Sequence, residues 1–116
     1  LDLNGYKNRK DIIEKVVSQI NKDLNLDIAI EFTDSKTSYY EELLAEIKPK
    51  LSRIIYEGRG QLEQILYKID VPERKVKNAL DSSVETDPAV IFSHLILERE
   101  LQKVVFRILY SKGLQS

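Results

Sequence analysis

The 116-residue chain contains no cysteine, which excludes a disulfide framework, a thiolate zinc site and a cysteine nucleophile. It has a single histidine, so any imidazole metal site or Ser-His-Asp device has to be built on His94. Only four glycines and three prolines interrupt it, and 42% hydrophobic with 32% charged residues is the composition of a chain that folds. No apolar run approaches the roughly 20 residues that span a bilayer. The N-terminal stretch, with Asp2, Asn4, Lys7, Arg9 and Lys10, has no signal-peptide core. A soluble protein without a membrane span is expected, with the cytoplasm as its default location. The chain opens on Leu1 with no methionine, which leaves room for an upstream piece.

There is also no excess of charge. Eighteen basic residues meet 19 acidic ones for a net −1, and by region the balance is −1 over 1–36, zero over 37–60, −1 over 61–86 and +1 over 87–116. Such interspersed charge makes no field that draws the chain to nucleic acid or an anionic membrane, so any such contact has to be local. The length suits one domain, residues 1–116, with one core.

What is present is mostly helical periodicity. Ile12, Ile13, Val16, Val17, Ile20 and Leu24 line one side of a helix from Asn8 to about Leu24, with Asn8 as its cap. Ser38-Tyr39-Tyr40-Glu41 fits a capping box. A second helix follows to about Glu57 through Tyr40, Leu43, Leu44, Ile47, Leu51, Ile54 and Ile55, kinked at Pro49. Gly58-Arg59-Gly60 reads as a tight connection with Gly58 in the left-handed conformation, since it lacks the phosphate-loop pattern and follows a helix. A third helix carries Leu62, Ile65, Leu66 and Ile69, and a short fourth, opened by Pro72, carries Val76, Ala79 and Leu80. Asp87-Pro88 and Lys112-Gly113 bound the fifth and longest. Its apolar residues Val90, Ile91, Leu95, Leu97, Leu101, Val104, Val105, Ile108 and Leu109 cover an arc wide enough to make it the central helix. The fold expected is all-α or nearly so, four to five helices with a long C-terminal one and at most one short strand.

One segment breaks that period. Leu26, Ile28, Ile30 and Phe32 alternate with Asp27, Ala29 and Glu31 and read as a strand with one apolar face. A lone strand leaves its backbone groups unpaired unless water, a partner strand or a symmetry mate bonds them. Leu26, Ile28, Ile30 and Phe32 are therefore the candidate interaction residues, facing a protein partner or a second copy in a homodimer.

Candidates for chemistry are few. His94 has Glu98 one turn on, but neither H-E-x-x-H nor E-x-x-H spacing, so it reads as a structural histidine at the core edge. Glu41 with Glu42 and Glu98 with Glu100 sit in polar runs and read as a cap and as solvated carboxylates. Tyr39, Tyr40, Tyr56, Tyr67 and Tyr110 lie at or near helix ends, where a ring is half buried with its hydroxyl in water. Arg99, Lys103 and Arg107 recur every fourth residue, with Phe106 and Tyr110 alongside, and are the candidate nucleic-acid contact. Against that stands the absence of any overall basic excess. The first expectation is a non-enzymatic interaction or assembly module with no cofactor, and the second a nucleic-acid-associated protein.

Overall fold

Apolar side chains spaced three and four residues apart become the inner faces of five helices: α1 (Lys10–Leu24), α2 (Tyr39–Glu57), α3 (Gln61–Lys68), α4 (Glu73–Ser82) and α5 (Pro88–Gly113), preceded by a 3₁₀ turn at Asn4–Tyr6. The structure, a computed structural model, describes residues 2–33, 38–58 and 60–113. No strand occurs among them, so the architecture is all-α with five helices. None of these helices is long and apolar enough to cross a membrane.

α5 is the axis. It packs against α1, α2 and α4, while α3 lies against α1 and α2. Ile96, Leu97, Leu101 and Val105 are wholly buried, and Ala89, Ile91, Phe92 and Val104 nearly so. Around them α1 contributes Ile12, Ile13, Val16 and Ile20, and α2 contributes Tyr40, Leu43, Ile47 and Leu51. The arc expected from sequence is right in kind, but the inner face runs through Phe92 and Ile96, and Leu109 points to solvent.

The helix ends follow local chemistry, with two departures. Asp87 accepts the Ala89 N–H at 3.0 Å and starts α5, and Ser38 accepts the Glu41 N–H at 3.1 Å and starts α2. α2 continues through Pro49, whose missing N–H falls on the exposed side of the helix, where both Pro49 and Ala45 face solvent. Asn8 does not cap α1. The cap position is Arg9, without a side-chain bond, and its guanidinium pairs with Asp11 at 2.9 Å. The second departure is at the glycines. Gly58 has φ −100°, and the left-handed residue is Gly60, φ 69°, at the start of α3. Gly58 is needed for close approach instead, since a Cβ there would sit 3.0 Å from the Ile54 carbonyl. Arg59 lies outside the described residues.

Residues 26–33 keep the alternation but form no strand. Ile28 is buried, while Leu26, Ile30 and Phe32 are partly buried against the same core, and Asp27, Ala29 and Glu31 are exposed. The segment is a strap over the helices. Its backbone is bonded by side chains of its own chain: the Asn21 carboxamide donates to the Ile28 carbonyl at 3.0 Å and accepts the Ile28 N–H at 2.8 Å. Glu42 accepts the Thr33 N–H at 2.9 Å. A carboxamide thus supplies the donor and acceptor that a neighbouring strand would have offered.

Candidate functional site

The four candidate interaction residues of the strap are occupied within the fold, since Leu26, Ile28, Ile30 and Phe32 all pack on its core. Phe32 in addition meets the Tyr39 ring edge-on at 5.6 Å between centroids.

The candidate nucleic-acid residues are likewise engaged, for the most part inside the chain. Arg99 donates to the Ile69 carbonyl and to Gln102, each at 2.8 Å, and lies 3.7 Å from Asp70. Lys103 pairs with Asp23 at 2.7 Å and lies 3.3 Å from a Glu100 oxygen. Arg107 donates to Gln19 at 2.9 Å, a neutral partner, with no carboxylate paired to it among the described residues, and Tyr110 is largely exposed. The stripe that a helical wheel places outward is mostly a seam holding α5 to α1. Its other half is Gln19 and Asp23, one turn apart on α1 and joined at 2.8 Å.

Glu100, expected in solvent, is at the bottom of this seam and fully buried, with no well-aligned hydrogen bond to either oxygen. Burial pushes its carboxyl up to about 8, the neighbouring Asp23 carboxylate pushes the same way, and Lys103 opposes. Burial acts on Asp23 too, but the hydrogen bonds it accepts from Lys103 and Gln19, with the Glu100 carboxyl close by lowering it further, outweigh burial and hold that carboxyl at about 2. Two carboxyls one seam apart thus divide into a neutral acid and an anion, as like groups sharing a site do. The split joins α1 to α5 through Lys103, which bonds Asp23 and lies beside Glu100.

His94 is half-buried between α5 and α2. Its Nδ1 is 3.4 Å from the Tyr40 hydroxyl, and the two rings stack 6.1 Å apart. Tyr40 is buried, contrary to the half-wet setting expected for it. Burial, with the charges of Glu98 and Glu41, raises its phenol far above the usual value. Lys7 lies 4.5 Å over the same ring and pairs with Glu98 at 2.9 Å, tying the N-terminal segment to α5. His94 borders a groove of about 470 Å³ between α4 and α5, with Lys75, Glu85 and Glu98 at its edge. Among the described residues no three His, Asp or Glu side chains are placed to hold a metal ion.

The feature that sequence reasoning missed is a second groove, of about 1000 Å³, between α3 and α4. Its floor is Leu62, Leu66, Val71, Val76 and Phe92, with Tyr67 and Leu80 on its walls. Tyr67 is 88% and Leu80 44% exposed, large apolar surface that the fold leaves uncovered. Around it stand Glu63, Asp70, Glu73 and Asp81 against a lone Lys77, so the lining is acidic by three charges, four minus one. α4 makes this possible by its spacing: positions 73, 76, 77, 80 and 81 share the groove side, whereas Lys75 and Ala79 face the smaller groove. The helix buries none of its residues fully. The sequence signal was there, in apolar residues on two short helices beyond what those helices can bury, with a tyrosine among them. Comparison with protein-family models, curated proteins and solved structures finds no match to this chain.

Proposed function

We propose that the protein is a non-enzymatic interaction module that receives an amphipathic helical segment carrying basic residues in the groove between α3 and α4. The observation that carries this reading is the pairing of an uncovered apolar floor with an acidic rim. The floor supplies burial for apolar anchors spaced three and four residues apart, at roughly 25 cal/mol per Å². The rim of Glu63, Glu73 and Asp81, with Asp70 already beside Arg99 at 3.7 Å, favours lysine or arginine flanking those anchors and repels an acidic helix. The size fits as well. A helix about 10 Å across fills on the order of 80 Å³ per Å of length, so about 1000 Å³ holds roughly two turns. The strap and the basic stripe are weaker supports for an interaction role, because both are turned into the fold.

The test is fluorescence anisotropy with two labelled peptides of about 14 residues, one built of leucine and lysine at helical spacing and one with glutamate replacing lysine. The lysine peptide is expected to bind at least about tenfold more tightly than the glutamate peptide. Tyr67→Ser with Leu80→Ser, which removes apolar surface without adding acidic charge, should weaken that binding by at least about tenfold while leaving the circular dichroism spectrum unchanged, since both side chains are exposed. Equal binding of the two peptides, or binding indifferent to the double substitution, refutes the proposal.

A further inference from the structure

The C-terminal turns of α5 carry the other half of such an interface. Phe106, 46% exposed, Leu109, 38%, and Tyr110, 70%, lie at i, i+3 and i+4 and form an uncovered apolar stripe. Arg107 stands beside it, exposed and bonded only to the neutral amide of Gln19 among its described partners, so its positive charge is available. This is a basic amphipathic helix end, complementary in both apolarity and charge to the acidic-rimmed groove on the same molecule.

A chain cannot use its own stripe to fill its own groove. The groove reaches α5 at Phe92, and Phe106 lies 14 residues further along the same continuous helix, about 21 Å away at about 1.5 Å per residue. α5 is one unbroken helix over this length, packed against α1 and α2, and does not fold back. The stripe and the groove can meet only between molecules.

Building on the proposed function, we infer that the occupant of the α3–α4 groove is the Phe106–Tyr110 end of α5 from a second copy of this chain, giving head-to-tail self-association. The two surfaces are different patches, so the contact is heterologous: each added copy leaves one groove and one helix end free, and growth continues until a ring closes. Only a few side chains enter the groove, so each contact belongs to the small, weak class, below about 1,200 Å² of buried surface. Association is accordingly expected at high protein concentration and to weaken with added salt.

Sedimentation velocity across concentration tests this on the full chain with two complementary variants. One is Tyr67→Ser with Leu80→Ser, which removes the apolar walls of the groove without adding charge. The other is Phe106→Glu with Tyr110→Glu, which removes the helix end, with Phe106→Gln and Tyr110→Gln as its neutral version if the acidic pair fails to fold. Wild type is expected to grow in mass with concentration and each variant to stay monomeric. An equimolar mixture of the two is expected to form a dimer and nothing larger, because it holds one intact groove and one intact end. A wild type that stays monomeric to about 1 mM, while the lysine peptide still binds the groove, overturns self-occupancy and leaves the proposed function standing. If the peptide fails as well, the proposed function fails. Variants that associate like wild type, or a mixture that gives no dimer, also overturn the inference.

Discussion

Replacing Glu100 with glutamine keeps the shape of the side chain sealed between α1 and α5 and removes its titration, so it isolates the cost of ionising that seam. In the folded chain this carboxyl is raised from 4.5 to about 8, first by burial and then by Asp23. The unfolded chain gives up the proton near 4.5, so between these values the folded state holds a proton that the unfolded state has released. Stability is then greatest below about 4.5 and falls as pH rises toward 8, with a slope approaching about 1.4 kcal/mol per pH unit. From pH 5 to 7 the loss is about 2 to 3 kcal/mol, which at about 0.24 kcal/mol/K of unfolding entropy for this length lowers Tm by about 10 °C. Asp23 does not blur the window. Its carboxyl is lowered from 3.8 to about 2, so its contribution is complete above 3.8 and is lost only as pH falls from there toward 2. Differential scanning calorimetry of wild type and Glu100→Gln at pH 5, 6 and 7 reads the difference, which cancels titrations common to both proteins. Wild type should lose Tm over this range while the variant loses markedly less. A wild-type Tm that stays level, or equal slopes in the two proteins, refutes the reasoning that Glu100 is held neutral.

Three further outcomes follow from packing and backbone bonding. Asn21→Ala leaves the Ile28 N–H and carbonyl without their partner and should cost about 1 to 3 kcal/mol by urea denaturation, with faster amide exchange at Ile28 in the folded protein. Ser38→Ala removes the acceptor for the Glu41 N–H at the start of α2 and should cost about 1 kcal/mol in the same assay. Leu97→Ala opens a cavity on the fully buried face of α5 and should cost about 2 to 5 kcal/mol, with the secondary structure retained at 25 °C.

Much of the fold was legible because helical faces announce themselves locally. The apolar spacing of α1 and α2, the Asp87-Pro88 start of α5 and the Ser38 cap each depend on residues within a turn or two, and each is where the pattern puts it. The alternation at Leu26–Phe32 was equally legible, but its meaning was not. Whether an extended segment becomes a strand depends on what lies beside its backbone, and here that is the side chain of Asn21, seven residues before Ile28. The left-handed position expected at Gly58 lies at Gly60 for a related reason, since both tolerate positive φ and only the packing of α2 onto α3 selects one.

The candidate site was the least legible part. Arg99, Lys103 and Arg107 form a stripe on a helical wheel, and a wheel does not say that Asp23 and Gln19 stand opposite two of them. Glu100 follows Glu98 and Arg99 in sequence, a polar run, yet tertiary structure seals it at 0% exposure. The α3–α4 groove arises from how two short helices splay over Phe92, an arrangement of elements that no single stretch of sequence contains. The sequence by itself determined the helices, the Ser38 and Asp87 starts and the central place of α5, because these follow from periodicity and short-range hydrogen bonding. Tertiary structure alone decided which polar groups are buried and which apolar ones stay uncovered, because both depend on side chains brought together from far apart in the chain.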